Sequence, residues 1–158
     1  MKLLMVCMGN ICRSPMMEGW LADAIAREPG LLGIRVESAA IGPWHAGHAP
    51  DRRAIAVAAR HGIDISGQRA RQLRPADFDD FGLLLFADAG TLRDGIELAG
   101  RSAGTNRAAR YLEWAGVQGD HDIADPYYGD AGDFDAAWHR IVQGGERIVQ
   151  RLLRGRAA

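Results

Sequence analysis

Cys7 and Arg13 stand six positions apart in Cys7-Met8-Gly9-Asn10-Ile11-Cys12-Arg13-Ser14-Pro15. A thiolate is a strong nucleophile, and a guanidinium presents parallel donors that match two oxygens of a phosphate. A cysteine at the end of a core strand is commonly just a small buried hydrophobe. A loop of this kind before a helix also suits a nucleotide, but no Gly-Lys-Ser/Thr follows and no Gly-x-Gly-x-x-Gly is present. Cysteine, five residues, arginine and serine therefore favour phosphoryl transfer through a phosphocysteine.

That chemistry needs a scaffold. Lys2-Leu3-Leu4-Met5-Val6 reads as a buried strand feeding the loop. Ser14 reads as a helix cap with Pro15 in the first turn, and the helix is predicted from Pro15 to about Arg27. Loop amides and a helix N-terminus would then converge on an anion. Positive surroundings of that kind lower a thiol's pKa from about 8.5 to about 3.5–7.5. Gly9 either lets the backbone approach the phosphate closely or takes positive φ, and Asn10 either holds the loop closed through its amide or is a plain turn residue.

Further along, Ile34 to Ala39 alternates as a second strand, and the Gly- and Pro-rich stretch from Gly42 to Pro50 is a loop. A helix is expected from Arg52 to about His61. Phe81 to Ala87 is almost continuously apolar, as in a strand covered on both faces. A helix from Ala89 to about Ala99 follows, then a fourth strand from Ala109 to Trp114. Phe134, Trp138, Ile141, Ile148 and Leu152 form the stripe of a last helix. Gly144-Gly145 inside it costs roughly 1 kcal/mol per glycine relative to alanine, so packing must compensate. Strands alternating with helices predict an α/β fold, a three-layer αβα arrangement on a four-stranded parallel twisted sheet. Ligands in such sheets bind beyond the carboxyl ends of the strands, where Cys7, Ser38 and Asp88 fall.

At 158 residues the chain has the size of one domain, expected to span 1–158. A net charge of −1 gives no footprint for nucleic acid or an acidic membrane surface. No apolar run reaches membrane-spanning length, and the start of the chain lacks the regions of a signal peptide. The two cysteines share one loop, unlike a secreted disulfide framework, and with five scattered histidines they make no zinc site. The expectation is a cytoplasmic protein without metal or organic cofactor.

The Cys7–Pro15 stretch resembles the signature loop of the low-molecular-weight protein tyrosine phosphatases, and Asp125-Pro126-Tyr127-Tyr128-Gly129 resembles their general-acid loop. Length and motif order agree, and the resemblance covers nearly the whole chain, most thinly about Arg101 to Asp120. It implies Cys7 as nucleophile, Arg13 as phosphate ligand and Asp125 as general acid and base. Met8, Gly9, Asn10, Ile11, Cys12 and Ser14 would complete the phosphate-binding loop. Asn10 and Ser38 would scaffold that loop, and Asp88 would support Arg13 while equally suiting a helix cap. Taken alone Asp125 is a turn residue; paired with the Cys7 loop it becomes the favoured acid. Asp120 and Asp122 would raise its pKa if they lay beside it. Trp44, Tyr127 and Tyr128 are the expected cleft walls, with core packing the competing role and nearly as good for Trp44. A deep cleft would favour phosphotyrosine over the shorter phosphoserine. The implied partner is a phosphotyrosine-containing protein, by analogy with bacterial relatives a tyrosine kinase, and the chain is expected to be a monomer or weak dimer. Gln68, Ile41 and Thr91 depart from residues common in the family, and the last two would tune the pocket.

Two enzyme rivals share the fold. A thioredoxin-coupled arsenate reductase needs further cysteines, and none follows Cys12. A protein arginine phosphatase typically has threonine where Ile11 stands, which leaves it as the runner-up. A phosphotyrosine-binding module without catalysis is disfavoured by the intact Cys7, Arg13 and Asp125. Cys12 also reads as a redox partner of Cys7. A fully extended chain would hold their Cα atoms about 17 Å apart, whereas a disulfide needs roughly 4.4–6.8 Å. A loop curled around a phosphate would bring them together; otherwise Cys12 merely packs beneath it.

Overall fold

The computed structural model describes residues 1–157. Four parallel strands form one sheet in the order β2-β1-β3-β4: β1 Lys2–Cys7, β2 Arg35–Ala40, β3 Leu83–Phe86 and β4 Ala108–Arg110. Around them lie α1 Arg13–Ala26, α2 Arg52–Arg60, α3 Asp77–Asp80, α4 Ala89–Ala99, α5 Tyr111–Trp114 and α6 Ala131–Ala157. The register sets Met5 beside Ser38 and Val6 between Ala39 and Phe86, so the strands end level at one edge of the sheet.

Alternation along β1 builds the two cores. Leu3, Met5 and Cys7 face a large apolar cluster with α1, α2, α5 and α6. Leu4 and Val6 face a smaller one with Phe78, Phe81, Phe86 and Ala99. A strand buried on both faces must be apolar throughout, which is why β1 and β3 read as unbroken runs. The expected α/β, three-layer, four-stranded parallel arrangement is present.

Three local expectations are corrected. Helix α1 begins at Arg13, two residues before Pro15, and Ser14 does not cap it; Cys12 precedes the helix without a side-chain cap bond. The uncapped first-turn N–H groups thus remain available to a ligand. The fourth strand stops at Arg110, and Tyr111–Trp114 is a short helix. There the buried Tyr111 hydroxyl donates to the Ile141 carbonyl of α6 at 2.8 Å, which ties this helix to α6. Short 3-10 segments at Pro29–Leu31 and Ala103–Arg107, and helix α3, had no periodic signal in so few residues.

The same contact explains Gly144-Gly145. A Cβ at Gly144 would lie 2.7 Å from the Tyr111 ring, and one at Gly145 would lie 2.3 Å from the Trp20 ring. The glycines let α6 close onto α5 and α1, and the packed rings compensate their low helix propensity.

Candidate active site

Cys7 ends β1, and the chain turns directly into the loop that α1 closes. Asn10 is the hub of this loop, with φ +58°, a left-handed conformation that asparagine tolerates better than most residues. Gly9 does not take positive φ; instead its missing side chain admits His45, whose Cδ2 would stand 3.0 Å from a Cβ there. Asn10 is buried, and its amide orientation follows from its partners. The Arg71 N–H can only donate, so Asn10 Oδ1 accepts it at 3.1 Å. The Asn10 Nδ2 group then donates to Ser14 Oγ at 2.6 Å and Ser38 Oγ at 2.9 Å. Ser14 Oγ lies 3.1 Å from Cys7 Sγ. A thiolate can only accept, so the Ser14 hydroxyl is the donor whenever Cys7 is ionised.

Arg13 is almost fully buried and held from one edge. Its Nη1 donates to Asp88 Oδ2 at 2.6 Å and to the Ile123 carbonyl at 2.8 Å. Its Nη2 lies 3.6 Å from Asp125 Oδ2. Asp88 serves both roles that the sequence left open. Its Oδ1 accepts from the Thr91 N–H at 2.8 Å and caps α4, while Oδ2 anchors Arg13. Burial acts to raise the Asp88 pKa, but hydrogen bonds from Arg13 and Thr91 outweigh it and hold the carboxyl below its ordinary range.

Asp125 is exposed at the cleft, and its Oδ1 accepts from the Tyr127 N–H at 3.1 Å. Asp122 points elsewhere, accepting from the Ala89 N–H at 2.9 Å and from Arg110 at 3.3 Å. Asp120 accepts from the Asp122 N–H at 3.0 Å. A cleft of about 360 Å³ brings together Cys7, Met8, Gly9, Ile11, Cys12, Arg13 and Asp125, walled by Trp44, His45, Tyr127 and Tyr128. Tyr127 and Tyr128 meet edge to face at 4.8 Å, and Tyr128 and Trp44 are largely exposed, so packing in the core is not their role.

A family model described as low molecular weight phosphotyrosine protein phosphatase matches residues 2–157. The chain belongs to this family. It is 36% identical over 152 residues to the low molecular weight protein-tyrosine-phosphatase YfkJ of Bacillus subtilis, covering 96% of this chain and 95% of that one. The crystal structure of YfkJ matches with a TM-score of 0.90 over 98% of this chain and 96% of that one, at 33% identity. Low molecular weight phosphotyrosine protein phosphatase 2 of Drosophila melanogaster is 44% identical over 129 residues, 80% of this chain and 76% of that one. The crystal structure of DARP, a Drosophila arginine phosphatase, matches with a TM-score of 0.87 at 30% identity over 96% and 97% of the two chains.

In this low molecular weight phosphatase, the family departures find structural places. Gln68 donates through Nε2 to the Pro15 carbonyl at 3.0 Å, while its buried Oε1 has no partner. Ile41 packs on the smaller core and gives its N–H to the Cys7 carbonyl at 3.0 Å. Thr91 completes the cap of α4 with Asp88. Neither side chain lines the cleft. Three contributors were missed in the sequence: His45 in the cleft wall, the Ile123 carbonyl beneath Arg13, and the Asp51–Arg53 pair on α2. A histidine in a loop and a backbone carbonyl carry no spacing signal. Asp51 just before an apolar-periodic segment was legible as a cap, and it is one, accepting from the Arg53 N–H at 2.8 Å.

Proposed function

We propose that this phosphatase hydrolyses phosphotyrosine in proteins through a phosphocysteine on Cys7. The observation that carries the reading is the hydroxyl of Ser14, held by Asn10 at 3.1 Å from the Cys7 sulfur, beside a guanidinium fixed by Asp88. A donor aimed at sulfur stabilises the thiolate both as attacking group and as leaving group.

Cys7 Sγ attacks phosphorus in line, forming the S–P bond as the P–O bond to the phenol breaks. Arg13 Nε and Nη2, the side of the guanidinium not used by Asp88 and Ile123, follow two phosphate oxygens into the transition state. The loop amides from Gly9 to Ser14 and the helix N-terminus bind the rest of the anion. Asp125 gives its proton to the departing phenolate, whose pKa of about 10 makes it a poor leaving group unaided. Asp125 then accepts a proton from water, whose oxygen attacks phosphorus. The S–P bond breaks, and inorganic phosphate and the Cys7 thiolate result. Met8 and Ile11 shape the floor of the cleft, and Trp44, Tyr127 and Tyr128 stack on the substrate ring. The residues supply every proton and charge the cycle requires, so we assign no cofactor or metal. Cys12 lines the same cleft as Cys7, and we assign it as the partner that captures an oxidised Cys7.

The likeness to an arginine phosphatase keeps a second substrate in view. Ile11 presents bulk at the cleft, with no hydroxyl to meet a guanidinium, so phosphotyrosine is the favoured substrate. The test is phosphate release from matched peptides bearing phosphotyrosine, phosphoserine or phosphoarginine. Phosphotyrosine is expected to be turned over fastest, and faster release from phosphoarginine would reassign the substrate. We place the protein in the cytoplasm, with a phosphorylated tyrosine kinase as a candidate substrate. No helix among the described residues is long and apolar enough to cross a membrane.

A further inference from the structure

The geometry points to Arg53 as a positioning residue that sets the acid loop against the phosphate loop. This inference rests on the reading of Asp125 as the general acid. Arg53 lies on α2, outside both motifs, and donates through Nη2 to the Tyr127 carbonyl at 2.9 Å and through Nη1 to the Gly129 carbonyl at 3.2 Å. Among the described residues, these two bonds are the ones that tie 126–129 to another element; the other bonds of the segment, Tyr127 N–H to Asp125 and Gly129 N–H to Pro126, are internal.

An exposed arginine ordinarily contributes little, because holding a long side chain in one geometry costs entropy. Here Asp51 already holds it. Asp51 Oδ1 accepts from Arg53 Nε at 3.0 Å and Oδ2 accepts from Nη2 at 3.0 Å, a two-point grip on one guanidinium. The guanidinium carbon lies 4.5 Å from the Phe134 ring centroid and 5.8 Å from that of Tyr127. The other end of the link is also fixed. The Asp51 N–H donates to the Ile11 carbonyl at 2.8 Å, inside the phosphate loop. Ile11, Asp51, Arg53 and Tyr127 thus form one continuous connection between the loop that carries the nucleophile and the loop that carries the acid. A proton donor works only at hydrogen-bond distance from the leaving oxygen, so the connection acts on the step that Asp125 performs.

The test compares kcat/KM for phenyl phosphate, whose leaving group needs protonation, with 4-nitrophenyl phosphate, whose leaving group needs it less. Arg53→Met keeps the apolar stem against Phe134 and removes the donors. It should lower kcat/KM for phenyl phosphate by about tenfold and for the nitrophenyl ester by a smaller factor. Arg53→Lys should recover part of the loss and also covers the case in which the methionine variant fails to fold. Inhibition by inorganic phosphate should stay within about twofold, because Asp51 still holds Ile11. Added to Asp125→Asn, the Arg53 change should cost less than about a further twofold, since both act on one proton transfer. An equal loss on the two esters, or a full multiplicative loss on top of Asp125→Asn, would overturn the positioning role. If Asp125→Asn with Arg53 intact loses the same factor on both esters, the acid assignment itself falls and this inference falls with it.

Discussion

Arg13 and Asp88 meet at 2.6 Å across 75 residues of sequence, and the same carboxylate caps α4 through its other oxygen. One side chain therefore fixes both the Arg13 guanidinium and the helix that follows β3. Arg13→Lys should lose at least about 10² in kcat/KM, because an ammonium cannot hold Asp88 and two phosphate oxygens in one plane. Asp88→Asn should impair activity and also alter acid stability. The Asp88 pKa is lowered on folding, so its contribution is present above about pH 4 and is lost as pH falls through the folded value. Urea midpoints measured from pH 7 to pH 2 should show a shallower acid limb in Asp88→Asn than in wild type.

Asp125 and Asp122 are separated by what they face. Asp125→Ala should slow hydrolysis of esters with poor leaving groups by about 10²–10⁴. Asp122 satisfies the Ala89 N–H and Arg110, so Asp122→Ala should lower Tm while changing the rate only modestly, as should Asp120→Ala. A larger rate loss at Asp122 than at Asp125 would reverse the assignment.

Asn10 combines a left-handed backbone with three side-chain hydrogen bonds, one buried and two partly buried. Asn10→Ala would leave Ser14, Ser38 and the Arg71 N–H without this partner and place alanine where its Cβ is disfavoured. The two effects together should cost about 2–4 kcal/mol, measured as a shift in urea midpoint at unchanged m-value. Turnover should fall as well under conditions where the variant is folded, because Ser14 loses the bond that holds it beside Cys7.

Glu18, on α1, has its pKa raised to about 7 by burial and by the nearby Glu37 carboxylate, against a smaller lowering by Arg71. For an acid whose pKa rises on folding, the folded state holds the proton that the unfolded chain releases near pH 4.3. Stability from this group is therefore lost as pH rises from about 4.3 to about 7, and ionised Glu18 is a burden above that. Glu18→Gln should raise Tm by a few degrees at pH 8, roughly what 1 kcal/mol gives a domain of this size. It should leave Tm little changed at pH 4.5. Parallel Tm profiles for the two proteins across that range would contradict it.

Burial pushes the Cys12 thiol well above its ordinary pKa, with Asp51 and Cys7 adding to the shift. Cys12 therefore stays protonated at neutral pH. Peroxide should oxidise Cys7 first, to the sulfenic acid, and Cys12 should then condense with it to a disulfide, releasing water. Inactivation should be reversed by a thiol reductant in wild type. In Cys12→Ser, mass spectrometry should find Cys7 carried on to sulfinic or sulfonic acid. Equal recovery of both proteins would leave Cys12 with a packing role.

The sequence by itself determined the elements whose signal is local. Apolar runs gave β1 and β3, the helical stripe gave α6, and the spacing of Cys7 and Arg13, with the resemblance that adds Asp125, picked out residues that the fold gathers in one cleft. It placed Ser14 in the wrong role, since a serine before Pro15 has the form of a cap whatever it touches. Only the tertiary structure showed that Asn10 donates to Ser14 and that the same hydroxyl lies 3.1 Å from Cys7 Sγ. The partners that finish the site are distant in the chain: Arg13 with Ile123, separated by 110 positions, and Arg53 with Tyr127, separated by 74. Half of that machinery is backbone carbonyl, which every residue possesses and no sequence pattern distinguishes. Its placement comes from parallel strands ending level at one edge of the sheet, which brings loops from across the chain to a single point.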